Sequence, residues 1–274
     1  MAETWPEPVR DVAQVVIADR DRWRRWLQEL VKIPSISALP EHDNDVAHSA
    51  NVTAEILDAA GLEHVELLDV AGAPPYVTGE WSHNDHAPTV LLYAHHDVQP
   101  TPGAENWASP PFTPTERDGR LYGRGTADDK AGIVLHAAAI ASWLQARGAL
   151  PVNVKVLIEG EEEVGSPHLP AFLDRHAQRL RSDVIVLADL VNWKVGWPGL
   201  TRSLRGMGDV FVTVRTLQQP VHSGMWGGPV PDAATTLVRL LATLHDADGR
   251  IAVDNFCDDV IPLTEDQRGA LVTL

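Results

Sequence analysis

The stretch PTVLLYAHHDV (88–98) constrains the fold of this chain more than any other. It is a continuous apolar run that turns polar only at its end. A strand buried on both faces reads this way, and such strands belong to sheets covered by helices. PVNVKVLIEG (151–160) repeats the pattern, and DVIVLAD (183–189) repeats it in shorter form. All three end in acids or histidines, at the strand ends where α/β sheets build their sites. Between the first two lies AGIVLHAAAIASWLQARG (131–148), which predicts an Ala-rich helix closed by Gly148, and 168–181 predicts a further helix. This alternation predicts an α/β fold with three layers and a mixed, mostly parallel sheet.

Upstream, Val12, Val15, Val16, Trp23, Trp26, Leu27, Leu30 and Val31 recur at helical spacing. They predict one helix over 11–31 that stops before Pro34. A second helix is expected over 44–60, ending at Gly61, then a short strand, VELLDV (65–70). The Pro-, Gly- and Thr-rich segment 99–123 reads as loop. Near 200–207 the pattern changes. GDVFVTVRTL (208–217) alternates like a half-exposed antiparallel strand, and PDAATTLVRLLATLHDADG (231–249) reads as an amphipathic helix followed by Gly249. The expected organisation is one domain over 1–205 and the start of a second, α+β, domain over 206–274.

Charge and cysteine usage narrow the function classes. The 22 Lys and Arg against 38 Asp and Glu give a formal charge of -16, so the basic footprint of a nucleic-acid binder is missing. A single cysteine, Cys257, excludes an internal disulfide framework and a Cys-rich zinc module. No run reaches the roughly 18 apolar residues of a membrane span. The opening MAETWPEPVRDVAQ is acidic and unlike a signal peptide, so a soluble cytoplasmic protein is expected.

Four clusters carry candidate chemistry. In an extended strand His95 and Asp97 share one face, and Asp97 can accept a hydrogen bond from the imidazole, the arrangement that orients a metal-binding histidine. A polar strand end at a surface would read the same. In GRGTADDK (123–130) glycines and acids precede a helix; helix capping explains one acid but not the string. Glu159, Glu161, Glu162 and Glu163 fall within five positions after a buried strand and repel unless a cation or solvent screens them. Asp189 follows VIVLA in the same way. One histidine among carboxylates suits zinc, manganese or cobalt. A bridging carboxylate and a free one acting as base would make a two-metal hydrolase.

These residues also form known patterns. YAHHDVQP (93–100) resembles the HxDVxP element of the co-catalytic zinc exopeptidases, which include carnosinases, cytosolic dipeptidases, aminoacylase and carboxypeptidase G. LYGRGTADDKAG (121–132) is similar to the family's second metal element and IEGEEEVGS (158–166) to its EGxEExGS element. LVKIPSIS (30–37) matches the first-helix exit, and HSGMWGG (222–228) resembles the HSGxxGG element of the lid domain. The HxDVQP and HSGxxGG forms point to the dipeptidase branch.

The resemblance implies a catalytic domain, a lid that serves dimerisation, and two divalent ions, zinc with manganese or cobalt as alternatives. It implies that His95 and Asp189 hold one ion, Asp128 bridges both and Glu163 holds the second. Asp97 would orient His95, and the Asp128–Asp129 peptide would be cis. Glu162 would be the general base, taking a proton from a metal-activated water and returning it to the leaving amine. His222 would reach across a homodimer interface to the scissile carbonyl oxygen. The implied substrates are dipeptides or short peptides; alternatives are a non-catalytic metal-binding fragment or an amidohydrolase of N-acyl amino acids. Asp189 departs from the pattern in its neighbours Ala188 and Leu190. The chain is expected to stop inside the lid, before the family's last histidine ligand; His245 is expected on a lid helix. His42, His48, His64, His83 and His86 read as surface residues, His136 as packed, the nine tryptophans as packing, and Cys257 as an incidental thiol.

Overall fold

The computed structural model describes residues 5–272 except 191, 193, 195, 198, 200, 202, 203 and 205. The chain divides into two compact units, Met1–Asn192 and Trp193–Leu274. Part of the boundary expected near 200–207 lies outside the described residues.

The helix expected over 11–31 is two helices, α1 (Glu7–Ala18) and α2 (Arg20–Val31). Asp19 leaves helical geometry between them, with φ -95° and ψ 13°. The break lets each helix turn its own apolar stripe inward, burying Val12 from α1 and Trp23, Leu30 and Val31 from α2. The Trp23 indole spans the break by donating to the Val16 carbonyl at 3.1 Å. Helix α3 (Asp43–Ala59) ends where Gly61 takes a left-handed φ of 96°. A Cβ there would meet Leu144 at 2.6 Å, so glycine permits both the turn and the close packing.

Five strands form the main sheet: β1 (Glu63–Leu68), β2 (Tyr76–Trp81), β3 (Thr89–His95), β6 (Asn153–Glu159) and β7 (Val184–Leu187), in the order β1-β2-β6-β3-β7. The sheet is mixed, as expected. Strands β3, β6 and β7 run parallel, whereas β2 pairs antiparallel with both β1 and β6. The parallel share is therefore half rather than most of the pairings, because β2 was not foreseen. Its YVTGEW sequence follows a proline pair and is β-rich, which is a readable strand signal.

Within the segment expected to be loop, β4 (Thr115–Arg117) and β5 (Arg120–Tyr122) form a hairpin. Its turn is Asp118-Gly119, both at positive φ, which is what a two-residue hairpin turn requires.

Helix α4 (Lys130–Arg147) with α2 and α3 covers one face of the sheet, and α1 packs against α4. Ala50, Leu57, Ile133, Ala137 and Ile140 pack there against Val77, Val156 and Ile158. Helix α5 (Leu169–Leu180) covers the other face, where Phe172 and Leu180 meet Tyr76, Leu91 and Leu157. Strand β6 is thus buried on both sides. Strand β7 is apolar but exposed along its length, an edge with no covering layer among the described residues.

In the second unit, α6 (Ser223–Trp226), α7 (Ala233–Ala242) and α8 (Glu265–Val272) are helical. Asp232 caps α7, its carboxylate accepting from the Thr235 amide at 2.7 Å. The helix expected over 231–249 ends at Ala242, so His245 is not helical but bridges to Ile251, and Gly249 closes a turn onto Asp246. No strand forms over 208–217, where Val210 and Phe211 stand exposed. A strand needs a ladder partner, and the described residues of this unit offer only isolated bridges. Among the described residues no helix is long and apolar enough to cross a membrane.

Candidate metal centre

Parallel pairing brings the C-terminal ends of β3, β6 and β7 to one edge. His95 lies in register with Glu159, and Tyr93 with Leu187. The ladder continues as His96 donates its amide to the Glu159 carbonyl at 2.8 Å and Ala188 to Tyr93 at 3.2 Å. The residues after each strand, with the start of α4, therefore converge on one spot.

His95 is fully buried. Its Nδ1 lies 3.2 Å from Asp97 Oδ1 and 3.1 Å from the Asp97 carbonyl. Its Nε2 points the other way, 3.2 Å from Asp128 Oδ1, 3.7 Å from Asp189 Oδ1 and 3.8 Å from Glu162 Oε2. Burial pulls the imidazole pKa down, but the hydrogen bond and charge of Asp97, with Asp129 and Asp189, push it up to about 10.

Asp97 is the hub. Its carboxylate accepts from the amides of Glu162 at 3.2 Å and Glu163 at 3.1 Å, and from Ser37 Oγ at 2.6 Å. Burial works against its charge, yet the hydrogen bonds from His95 and Ser37 and the charge of His95 hold its pKa below the usual range.

Two donor groups suit a cation. Ligand atoms of His95, Glu162 and Asp189 lie within 4.8 Å of one another, as do those of His95, Asp128 and Glu163. All four carboxylates named for the site thus gather around His95. Burial raises the pKa of Glu162, Glu163 and Asp189, and repulsion from neighbouring carboxylates, Asp97 among them, adds to it against the pull of His95. An imidazole nitrogen with several charge-crowded carboxylate oxygens fits a divalent ion of borderline hardness. The Asp128–Asp129 peptide is cis, as the resemblance implies. His222 belongs to the other unit, where its carbonyl accepts from Met225 and Trp226 at the start of α6.

Other residues that support the site were not foreseen. Asp129 is buried and accepts from the His95 amide at 3.1 Å. Burial pushes its carboxyl up to about 7. A Cβ on Gly132 would come within 2.3 Å of Asp129 Oδ1, so glycine makes room for this side chain over the first turn of α4. Lys130 is buried and donates to the Leu30 and Ile33 carbonyls at 2.8 and 2.7 Å, tying the exit of α2 to the start of α4; burial brings its pKa down to about 7. Ser35 donates to the His96 carbonyl at 2.6 Å. Gln99 donates to Glu163. The segments carrying these residues, KIPSIS and DVQP, were visible as motifs, but their partners were not.

The acidic run also divides. Glu159 accepts from the Tyr93 hydroxyl, while Glu161 accepts from Tyr76 at 2.9 Å and from His168 Nδ1 at 2.8 Å and its amide at 2.9 Å. Only Glu162 and Glu163 enter the two donor groups. Repulsion within the run is relieved partly by protein donors, not by a cation alone.

The fold and the site define an α/β protein with a His–carboxylate donor set at the strand ends that could hold a metal. The profile of Peptidase family M20/M25/M40 matches residues 91–252, and the chain belongs to this family. It is 36% identical over 237 residues to a Cysteinylglycine-S-conjugate dipeptidase of Corynebacterium striatum, covering 86% of this chain and 52% of that protein. It is 32% identical to the Beta-Ala-His dipeptidase of Homo sapiens, over 96% of this chain and 54% of that one. The crystal structure of human carnosine dipeptidase 1 superposes with a TM-score of 0.75 at 29% identity, over 98% of this chain and 59% of that one. The chain thus spans about half the length of the curated relatives it matches.

Proposed function

We propose that this chain carries the metal centre of a hydrolase that cleaves the peptide bond of dipeptides. One observation carries the reading: His95, Asp128, Glu162, Glu163 and Asp189 converge at metal-ligand spacing. The names of the relatives support the substrate class. In this reading His95 and Asp189 would hold one ion, Glu163 the other, and Asp128 would serve both; zinc is proposed, with manganese or cobalt as alternatives.

Divalent ions, when bound, supply a Lewis acid that polarises the scissile carbonyl and makes water a nucleophile near neutral pH. The rest is the work of side chains. Asp97 accepts the Nδ1 proton of His95, so that the Nε2 proton is the one a bound ion would displace, turning that nitrogen's lone pair to the donor groups. Glu162 is partly open, and its raised pKa makes it a better base than a free carboxylate. It takes the proton of the attacking water as the C–O bond forms, then delivers it to the departing nitrogen as the C–N bond breaks. His222, supplied by the second unit of a partner copy in a homodimer, is the proposed donor to the carbonyl oxygen, on the resemblance of HSGMWGG.

The test is Glu162→Gln in this chain. Metal content by elemental analysis should stay at the wild-type value, while dipeptide hydrolysis falls about 10²–10⁴-fold, the usual worth of a positioned base. Full activity in the variant would remove Glu162 from the mechanism. Metal without turnover in the wild type would leave a metal-binding chain and no peptidase.

A further inference from the structure

Gln99 stands just beyond the ligand-bearing end of β3, on the surface. Its amide nitrogen donates to the Glu163 carbonyl at 2.9 Å and to Glu163 Oε2 at 2.9 Å. A primary amide has two N–H groups, so both bonds can form together. The same residue is thus held at its backbone and at its carboxylate. That matters because the charged groups Asp128 and Asp97 near Glu163 repel it. A Glu163 side chain without a donor would swing toward water. A lysine or arginine at position 99 would hold it too, but its charge would compete with a cation. A neutral donor aims the carboxylate and leaves its charge for the ion.

Glu163 belongs to the donor group with His95 and Asp128 and not to the one with Glu162 and Asp189. We propose that Gln99 is a positioning residue that sets the ion affinity of the Glu163 position by holding that carboxylate in place. The proposal rests on the metal-centre reading above. It extends that reading to a residue that touches no ion.

The experiment compares wild type, Glu163→Gln and Gln99→Met by titrating each metal-free chain with Zn²⁺ against a chromophoric chelator. Met keeps the length of the side chain and removes its donor. Thermal melts of the metal-free chains run alongside. Gln99→Met should melt like wild type and weaken the binding step that Glu163→Gln weakens, by about 10–100-fold, as loss of a ligand's hydrogen-bond partner does. Any other binding step should be unchanged. A Gln99→Met isotherm equal to wild type, while Glu163→Gln differs, overturns the proposal. So does an equal loss at every step, or a lowered melting temperature of the metal-free chain, since those mark a general structural role. If Glu163→Gln itself binds zinc like wild type, the assignment of Glu163 to the metal centre fails first.

Discussion

The buried floor of the site and its open rim treat carboxylates differently. In the floor, Asp97 has three protein donors besides His95, and Glu161 is held by Tyr76 and His168. In the rim, Asp128, Glu162 and Asp189 keep 64%, 37% and 27% of their side-chain surface and share the single imidazole of His95. A buried carboxylate with a full set of donors is a structural part, because its charge is already compensated. A rim of carboxylates crowded around one imidazole is better matched by a cation than by the fold. The floor should therefore govern stability without metal, and the rim should govern metal affinity.

The largest expected effect is in the floor. Asp97→Ala leaves the Glu162 and Glu163 amides and the Ser37 hydroxyl without their acceptor, and His95 Nδ1 with only the backbone carbonyl of position 97. Removing one partner of such a buried pair costs about 3–5 kcal/mol. Urea unfolding of the metal-free variant should show a loss of that size, together with weaker zinc binding, because His95 is no longer oriented. A metal-free stability equal to wild type would mean that the floor does not hold the fold.

The rim should answer in the opposite sense. Asp189→Asn removes a charge whose pKa is raised by burial and, against the pull of His95, by Asp128. Repulsion falls, so the metal-free melting temperature should stay level or rise by about 1–2 °C. On the proposed assignment of Asp189, zinc affinity should fall at least about tenfold, since a ligand would be lost rather than an outer partner. Destabilisation of the metal-free chain on the scale of Asp97→Ala would erase the distinction between rim and floor.

Rim and floor were not equally legible in the sequence. The rim was readable because parallel strands deliver their C-terminal residues to one edge, so His95, Glu162, Glu163 and Asp189 announce themselves by position. The floor depends on long-range partners. Ser37 meets Asp97 across 60 residues and Tyr76 meets Glu161 across 85, and no local pattern encodes such pairs. Glu159 and Glu161 looked like members of the rim because strand alternation stops at the turn after β6. Strand β2 fell between two better signals, although its pairing with β6 decides that half the sheet is antiparallel. The 208–217 segment shows the converse: alternation alone makes no strand without a neighbour to pair with.

The smallest effect, and the sharpest probe within the floor, concerns Glu159. Its carboxylate is buried, accepts from Tyr93 through one oxygen, and has no partner at Oε2 among the described residues. Burial is the main cause of its raised pKa; the bond from Tyr93 opposes this, and Asp97 and Glu161 add to it. The folded state therefore binds this proton more tightly than the unfolded chain, whose glutamates titrate near ~4.3. Its contribution to stability is complete below that unfolded value and is lost as pH rises through the folded value. Glu159→Gln keeps an acceptor for Tyr93 and removes the titration. The difference in urea midpoint between variant and wild type should thus grow in the variant's favour as pH rises above the unfolded value of ~4.3. A difference that is constant with pH would mean that Glu159, like Asp97, is fully compensated by its donors, and the floor would then be uniform.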